Sequence, residues 1–446
     1  MSNVYLVSLG CDKNRVDGET MVGTLRRAGY NVVNDPAEGQ VIIVNTCGFI
    51  KDAVQESIDL ILELSEYKTD GSGSCRGLIV VGCMAQRYNA EILESIPEVD
   101  ILVGVGEYEN IANVVEGLIG APLHSLDQNS EFARIAARAD DITPHIAYIK
   151  IAEGCDNHCT YCTIPSIRGP YKSQPMEYIL EESRQLVKAG AKELVLVAQD
   201  TTLYGTDIYG EKKLPELLRK LAQTSGATWI RLMYAYPEHI TEELVNTMAE
   251  LPQVCKYIDM PIQHSENIML RSMGRGGNQQ LSKTRLIETI ALLREKMPGI
   301  AIRTTLIVGF PCETTDNFYN MLKFVQDMKF DRLGVFPYSR EEGTPAATMD
   351  KQVKESTKIK RMEHIMDAQQ SIHFEKQRSL VGEVLPVMVD SHTKGEYMGR
   401  TQWDAYEVDS IVTFTSEEEL VQGDIYPVQI LGADQYDLRG RHEPTK

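Results

Sequence analysis

The sequence lacks any apolar run close to the roughly 20 residues that a helix needs to cross a bilayer. Its first ten residues contain no Lys or Arg and no small-residue cleavage site, so they do not resemble a secretory signal. No low-complexity segment interrupts the chain. We therefore expect a cytoplasmic protein that does not act at a membrane.

Basic residues are also scarce, with 45 Lys and Arg against 64 Asp and Glu and a formal net charge of −19 over 446 residues. General nucleic-acid binding requires positive surface, because affinity for phosphate comes from Lys and Arg. A composition of 43% hydrophobic and 24% charged residues is typical of globular proteins. The chain is long enough for about three domains, and its charge suits a basic partner better than a nucleic acid.

The nine cysteines lack the repeated C-x2-C pairs that are usual for zinc. Cys155, Cys159 and Cys162 instead form C-x3-C-x2-C directly after Gly154. Three thiolates can hold three irons of a four-iron cluster and leave the fourth iron open to a substrate, whereas electron-transfer clusters usually have four Cys ligands. The spacing therefore predicts a substrate-binding iron–sulfur cluster in this loop, which we call the cluster loop (154–162).

Three other cysteines recur in register in the first part of the chain. Residues 4–105 alternate short apolar runs with helical patterns, which predicts a parallel doubly wound sheet. Cys11, Cys47 and Cys83 follow successive strands at separations of 36 and 36 residues. Because the carboxyl ends of parallel strands share one edge, we expect these thiols, the strand-end cysteines, to converge on a second metal site. The alternative is three ordinary buried thiols.

The remaining chain divides into a linker and two further domains. Residues 121–143 are polar and are predicted as a linker. Six βα repeats follow from Ile146, which predicts a partial (β/α)6 barrel with its site at the carboxyl ends of the strands. Short β-type runs in 379–446, including Ala405–Val408, predict a small antiparallel β-barrel. The predicted fold class is α/β, with an N-terminal parallel sheet at 1–120, a barrel at 144–378 and the small barrel at 379–446.

The cluster loop resembles that of the radical S-adenosylmethionine (SAM) enzymes. The three-cysteine domain before it and the small barrel after it, similar to a TRAM domain, resemble the methylthiotransferase family. Four stretches look like the ribosomal-protein branch of that family: Ser8–Asp17, Asn45–Ile50, Gly82–Tyr88 and Pro165–Pro170. The resemblance implies methylthiolation of the β-carbon of an aspartate in the twelfth small-subunit ribosomal protein.

The resemblance also implies cofactors and their residues. It implies two 4Fe-4S clusters, with Cys155, Cys159 and Cys162 as the catalytic set and Cys11, Cys47 and Cys83 as the second set. SAM would serve both as radical source and as methyl donor. The implied SAM contacts are Tyr161, Gln199, Asp200, Gln263 and Arg303, each of which could instead shield the cluster or make structural hydrogen bonds. Cys312 stands where the family commonly has Gly.

The charge of the C-terminal domain indicates what kind of partner the protein binds. Residues 379–446 contain 13 acidic and 5 basic residues, a net charge of −8. Such a domain would repel phosphates and attract a basic ribosomal protein of the small subunit, which disfavours tRNA. The reaction also requires an electron donor protein and an unidentified sulfur donor. The alternatives are a tRNA adenosine methylthiotransferase and, from another class, a non-enzymatic iron–sulfur electron carrier.

Overall fold

The computed structural model describes residues 2–69, 74–119, 138, 145–275 and 281–444. The chain forms two compact units. The first, unit 1, comprises Met1–Ile142, Tyr148–Asp156 and Cys162–Ala189, and the second, unit 2, comprises Thr143–Ala147, Asn157–Tyr161 and Gly190–Lys446. Unit 1 therefore contains the N-terminal domain together with both flanks of the cluster loop. The predicted linker at 121–143 lies outside the described residues apart from Arg138.

The strands in chain order are β1 (Asn3–Ser8), β2 (Asn31–Val33), β3 (Val41–Thr46), β4 (Gly77–Gly82), β5 (Ile101–Val103), β6 (Ile146–Lys150), β7 (Ala152–Glu153), β8 (Lys172–Ser173), β9 (Glu193–Val197), β10 (Trp229–Leu232), β11 (Tyr257–Asp259), β12 (Ala301–Val308), β13 (Arg332–Pro337), β14 (Val384–Thr393), β15 (Glu396–Arg400), β16 (Val412–Thr415), β17 (Ile425–Ala433) and β18 (Leu438–His442). The helices are α1 (Asp12–Arg27), α2 (Lys51–Thr69), α3 (Cys83–Arg87), α4 (Asn89–Ser95), α5 (Ile111–Ile119), α6 (Ile164–Arg168), α7 (Met176–Lys188), α8 (Leu214–Thr224), α9 (Glu242–Glu250), α10 (Asn267–Ser272), α11 (Lys283–Lys296), α12 (Thr315–Met328) and α13 (Glu355–Ser379).

Unit 1 is built on a five-stranded sheet in the order β2-β1-β3-β4-β5, in which every pair is parallel. Strands β3 and β4 are buried along their whole length, because helices cover both faces of the sheet. Ile43 packs into one core with residues of α1 and α5, whereas Ile42 and Val44 pack into another core with residues of α2. The predicted doubly wound parallel sheet is confirmed.

The middle of the chain supplies two three-stranded sheets, in the orders β10-β9-β6 and β11-β12-β13. The pairs β9–β10, β11–β12 and β12–β13 are parallel. Within unit 2, the Ala235 N–H donates to the Asp259 carbonyl at 2.8 Å just beyond β10, which links the two sheets. Six strands alternating with helices agree with the predicted partial barrel, and the carboxyl ends of its strands share one rim.

The C-terminal strands close a barrel in the order β14-β15-β16-β18-β17. The pairing of β16 with β18 is parallel and the other four pairs are antiparallel. The predicted strand at Ala405–Val408 is wrong, since those residues form turns. The strand lies instead at β15, whose Arg400 is almost fully buried. Among the described residues, no helix is both long enough and apolar enough to cross a bilayer.

Candidate functional site: two cysteine sets

The strand-end cysteines meet at the carboxyl edge of the unit 1 sheet. Cys11 precedes α1, Cys47 follows β3, and Cys83 begins α3 after β4. A Cβ on Gly10 would lie 2.9 Å from Cys47 Cβ and 3.2 Å from Cys47 Sγ. A Cβ on Gly48 would lie 2.8 Å from the backbone carbonyl of Cys83. Only glycine lets these loops approach so closely, so the three strand-end loops lie close together at this edge.

The electrostatics of the three thiols also show that they are neighbours. Burial and, to a smaller extent, the Cys11 and Cys83 thiolates raise the pKa of Cys47 to about 11. Burial raises the pKa of Cys83, whereas the Arg168 guanidinium lowers it by its charge and by a hydrogen bond. Cys47 and Cys83 are buried and Cys11 is exposed. The site is therefore open to solvent on the Cys11 side.

Asn14 holds the three strand-end loops together. Its buried amide donates to the carbonyl of Leu9 at 3.0 Å and to the carbonyl of Thr46 at 2.9 Å, directly before the Cys11 and Cys47 loops. Its Oδ1 lies 3.7 Å from Cys83 Sγ, a sulfur hydrogen bond. One side chain thus contacts all three loops. The sequence analysis did not single out Asn14, although its place one helical turn after Cys11 was a usable signal.

The donor set fits an iron–sulfur cluster better than a single ion. Within the described ranges, no group of three or more His, Cys, Asp or Glu side chains is arranged to hold one metal ion. A four-iron cluster binds each thiolate through a different iron, so its ligands stand further apart than those of one ion. All three donors are thiols, which suit iron–sulfur clusters. Cys75 is not part of this set, because its thiol bonds to the Gly77 carbonyl at the opposite end of β4.

Local hydrogen bonds hold the cluster loop. In unit 1, Cys155 N–H donates to the Gly169 carbonyl at 3.1 Å, and Cys162 Sγ accepts from Ile164 N–H at 3.4 Å. In unit 2, Asn157 Nδ2 donates to Asp200 Oδ2 at 3.0 Å. Cys159 Sγ lies 3.9 Å from Tyr236 Oη. The loop is therefore shaped by its own neighbours, and Tyr236 is a cysteine contact that the sequence analysis did not name.

The predicted SAM contacts occupy different places. Tyr161 packs on an apolar cluster that includes Met273 and Phe310. Asp200 follows β9, is buried and accepts hydrogen bonds from Asn157 and Thr202. Its position suits it to holding the cluster loop in place.

Gln199 also follows β9, and Gln263 follows β11 with a φ of 66° and backbone bonds to Thr305 and Ile307. Arg303 differs, because it is the third residue of β12 and its guanidinium pairs with Asp259 at 3.1 Å and Asp409 at 3.5 Å. These five SAM contacts stay predictions.

Cys312 has a backbone conformation that favours glycine, the residue that the family commonly has there. Its φ is 66°, in the left-handed region that favours glycine. The thiol is exposed and lies 3.6 Å from the Asp350 carbonyl. None of the nine cysteines is in a disulfide.

Comparisons with known proteins agree on three regions. Residues 3–104 match the family described as Uncharacterized protein family UPF0004, residues 149–325 match the Radical SAM superfamily, and residues 381–442 match the TRAM domain. Among solved structures, the radical S-adenosylmethionine methyltransferase TsrM from Kitasatospora setae is similar in fold, with a TM-score of 0.56 and 14% identity over 89% of this chain and 81% of that one.

Curated relatives match over nearly the whole length. The ribosomal protein uS12 methylthiotransferase RimO of Lachnoclostridium phytofermentans is 45% identical over 99% of this chain and 100% of the relative. The proteins of the same name from Clostridium tetani and Geobacter sulfurreducens are each 46% identical; the first covers 98% of this chain and 97% of the relative, the second 98% of each.

Proposed function

Since this chain belongs to the family of ribosomal protein uS12 methylthiotransferases, we propose that it is a radical SAM enzyme that adds a methylthio group to the β-carbon of an aspartate in uS12. The observation that carries the proposal is the presence of two separate three-cysteine sets. One set is the cluster loop and the other is the edge where Cys11, Cys47 and Cys83 converge. An electron carrier would more often have four Cys ligands for each cluster.

The two sets divide the work. With clusters and SAM bound, the cluster loop would supply a 5′-deoxyadenosyl radical for hydrogen abstraction from an unactivated carbon, and the strand-end cysteines would hold the cluster that carries the sulfur to be inserted; SAM would also supply the methyl group. The chain's own part is to hold each cluster by three thiolates and leave one position open. Cys11 is the exposed member of its set, so substrate and sulfur can approach from its side. An electron donor protein and a sulfur donor complete the reaction.

The charge of the C-terminal barrel supports a basic protein substrate over tRNA. Some of its carboxylates form ion pairs within unit 2: Asp390 pairs with Arg400, Asp404 with Arg332, and Asp409 with Arg303. A run of three exposed glutamates, Glu417, Glu418 and Glu419, remains on the surface. Exposed carboxylates attract Lys- and Arg-rich chains and repel phosphates.

Anaerobic reconstitution with iron, sulfide, SAM and reductant tests the proposal. We expect about eight irons per chain if both clusters are of the four-iron type, release of 5′-deoxyadenosine, and a methylthio mass increase on uS12 but not on tRNA. Replacing the three cluster-loop cysteines by Ala should leave about four irons and abolish 5′-deoxyadenosine. Replacing the strand-end cysteines should also leave about four and preserve it.

A matched control replaces Cys75, Cys255 and Cys312 by Ala, which removes the same number of thiols outside both sets and should leave the iron content unchanged. Full iron content in the strand-end variant would contradict the second cluster. Iron without 5′-deoxyadenosine in the unmodified chain would favour the electron carrier, and modification of tRNA alone would favour the tRNA enzyme.

A further inference from the structure

A buried group of four charges lies beside the strand-end cysteines in unit 1. Arg168 Nη1 is 2.9 Å from Glu153 Oε1, and its Nη2 is 3.1 Å from Asp17 Oδ2. Lys150 Nζ lies 2.5 Å from the same two carboxylates. Two cations face two carboxylates, so the group is balanced. The Arg168 side chain is only 1% exposed, and such a pairing is what makes a buried guanidinium tolerable.

Arg168 also faces the thiols. Its Nη2 donates to Asn14 Oδ1 at 2.5 Å, and that oxygen in turn contacts Cys83 Sγ. Arg168 and Cys83 therefore share one hydrogen-bonding partner, the Asn14 amide oxygen, which holds the guanidinium beside the Cys83 sulfur.

The position of Arg168 in the chain connects the two cysteine sets. It is the last residue of α6, which begins two residues after Cys162. At the start of the same segment, Thr163 Oγ1 donates to the Phe49 carbonyl at 3.3 Å, beside the Cys47 loop. One short helix thus runs from the end of the cluster loop to the strand-end cysteines.

We propose that Arg168 is a positioning residue for the second cluster, in which its guanidinium, held beside the Cys83 sulfur by Asn14, stabilises added negative charge there. The proposal rests on the proposed function, because it requires a cluster on Cys11, Cys47 and Cys83. Hydrogen bonds to cluster sulfurs and nearby charge set the reduction potential of iron–sulfur clusters. Arg168 therefore raises the potential of the second cluster and helps to retain anionic sulfur on it.

The experiment uses the full chain with Cys155, Cys159 and Cys162 replaced by Ala, so that only the second cluster remains. In this background we compare Arg168→Gln, Arg168→Lys and the double variant Arg168→Gln with Glu153→Gln. The double variant removes one cation and one carboxylate together, so that no extra unpaired charge is buried. Lys150→Gln is the matched control, because it removes the same charge from the same two carboxylates. The readouts are iron content, the EPR signal and the midpoint potential.

We expect Arg168→Gln and the double variant to lower the ratio of reduced to oxidised cluster about tenfold at a fixed ambient potential, equivalent to about 59 mV for one electron. Arg168→Lys should restore most of the shift, and Lys150→Gln should shift the potential less. Equal shifts of the midpoint potential for Lys150→Gln and Arg168→Gln would overturn the proposal. An unshifted midpoint in both the double variant and Arg168→Lys would also overturn it. This second comparison decides the matter if Arg168→Gln by itself binds no iron. Absence of iron in the background itself would instead count against the second cluster and so against the proposed function.

Discussion

Replacing Asn14 by Asp tests whether one amide holds the edge that carries the strand-end cysteines. The carboxylate would keep an acceptor for Arg168 but lose both donors to the carbonyls of Leu9 and Thr46, which now lie at 3.0 and 2.9 Å. It would also place an oxygen against two carbonyl oxygens. We therefore expect the edge to open while the rest of the sheet stays folded.

The magnitude follows from the lost hydrogen bonds. A buried partner left unsatisfied costs about 1–3 kcal/mol, and two such losses amount to about 2–6 kcal/mol. A stronger pairing with the Arg168 guanidinium offsets part of this, because hydrogen bonds to charged groups contribute about 1.5–3 kcal/mol. A net loss of about 2–4 kcal/mol corresponds to an opening equilibrium roughly 30- to 700-fold more favourable.

Amide hydrogen exchange of the apo chain, followed by mass spectrometry, measures this opening. The two tryptophans, Trp229 and Trp403, both lie in unit 2, so their fluorescence does not report on the unit 1 sheet. Peptides that cover the start of α1 and the end of β3 should lose protection. When Asn14→Asp is combined with Ala at the three cluster-loop cysteines, the chain should bind fewer irons than the about four that one cluster contains.

Asn31→Asp is the matched control, since Asn31 is exposed and its amide donates to Asn3 Oδ1 at 2.9 Å, away from the cysteines. It should leave both readouts unchanged. Unchanged protection and full iron content in Asn14→Asp would refute the role assigned to the amide.

Three further predictions concern unit 2. Burial lowers the pKa of His264 from 6.5 to about 3, so below pH 6.5 the unfolded chain binds a proton that the folded chain does not. The unfolding free energy should fall by about 2 kcal/mol from pH 7 to pH 5, as measured by urea unfolding with Trp fluorescence; an equal fall in His264→Gln would contradict this. Cys312→Gly should relieve the left-handed backbone and raise the unfolding free energy by up to about 1 kcal/mol, measured as a higher urea midpoint, whereas a lower midpoint would show that the thiol contact matters more. Charge reversal of Glu417, Glu418 and Glu419 to Lys should slow association with uS12 at low salt, with the effect fading at high salt, and an unchanged low-salt rate would remove this run from recognition.

Strand assignment in the C-terminal barrel shows where local patterns mislead. The Ala405–Val408 run has β-type residues but forms turns, whereas β15 contains charged residues and was not predicted. Arg400 in β15 is buried because Asp390 and Glu193 pair with its guanidinium, both within unit 2. From sequence alone, charged residues are expected to be exposed to solvent. A charged residue can be buried when an ion pair formed by the fold compensates its charge, which the sequence does not show.

The net charge of the C-terminal barrel is likewise modified by ion pairs that the sequence does not show. A net charge of −8 over residues 379–446 follows from counting, but counting does not show which carboxylates face solvent. Asp404 and Asp409 are committed to Arg332 and Arg303 of the partial barrel. The exposed glutamates near residue 418 are therefore a better guide to a basic partner than the total charge.

The sequence by itself determined where the two cysteine sets lie in the chain. The C-x3-C-x2-C spacing is local, and the βα repeat places each cysteine of the other set after a strand, so both sets follow from spacing and periodicity alone. The tertiary structure decided which side chains hold those thiols in place and which charges lie beside them. Asn14 and Arg168 are 154 residues apart in the chain yet hydrogen-bonded, and no periodicity records such a contact, because it depends on the folding of one segment against another.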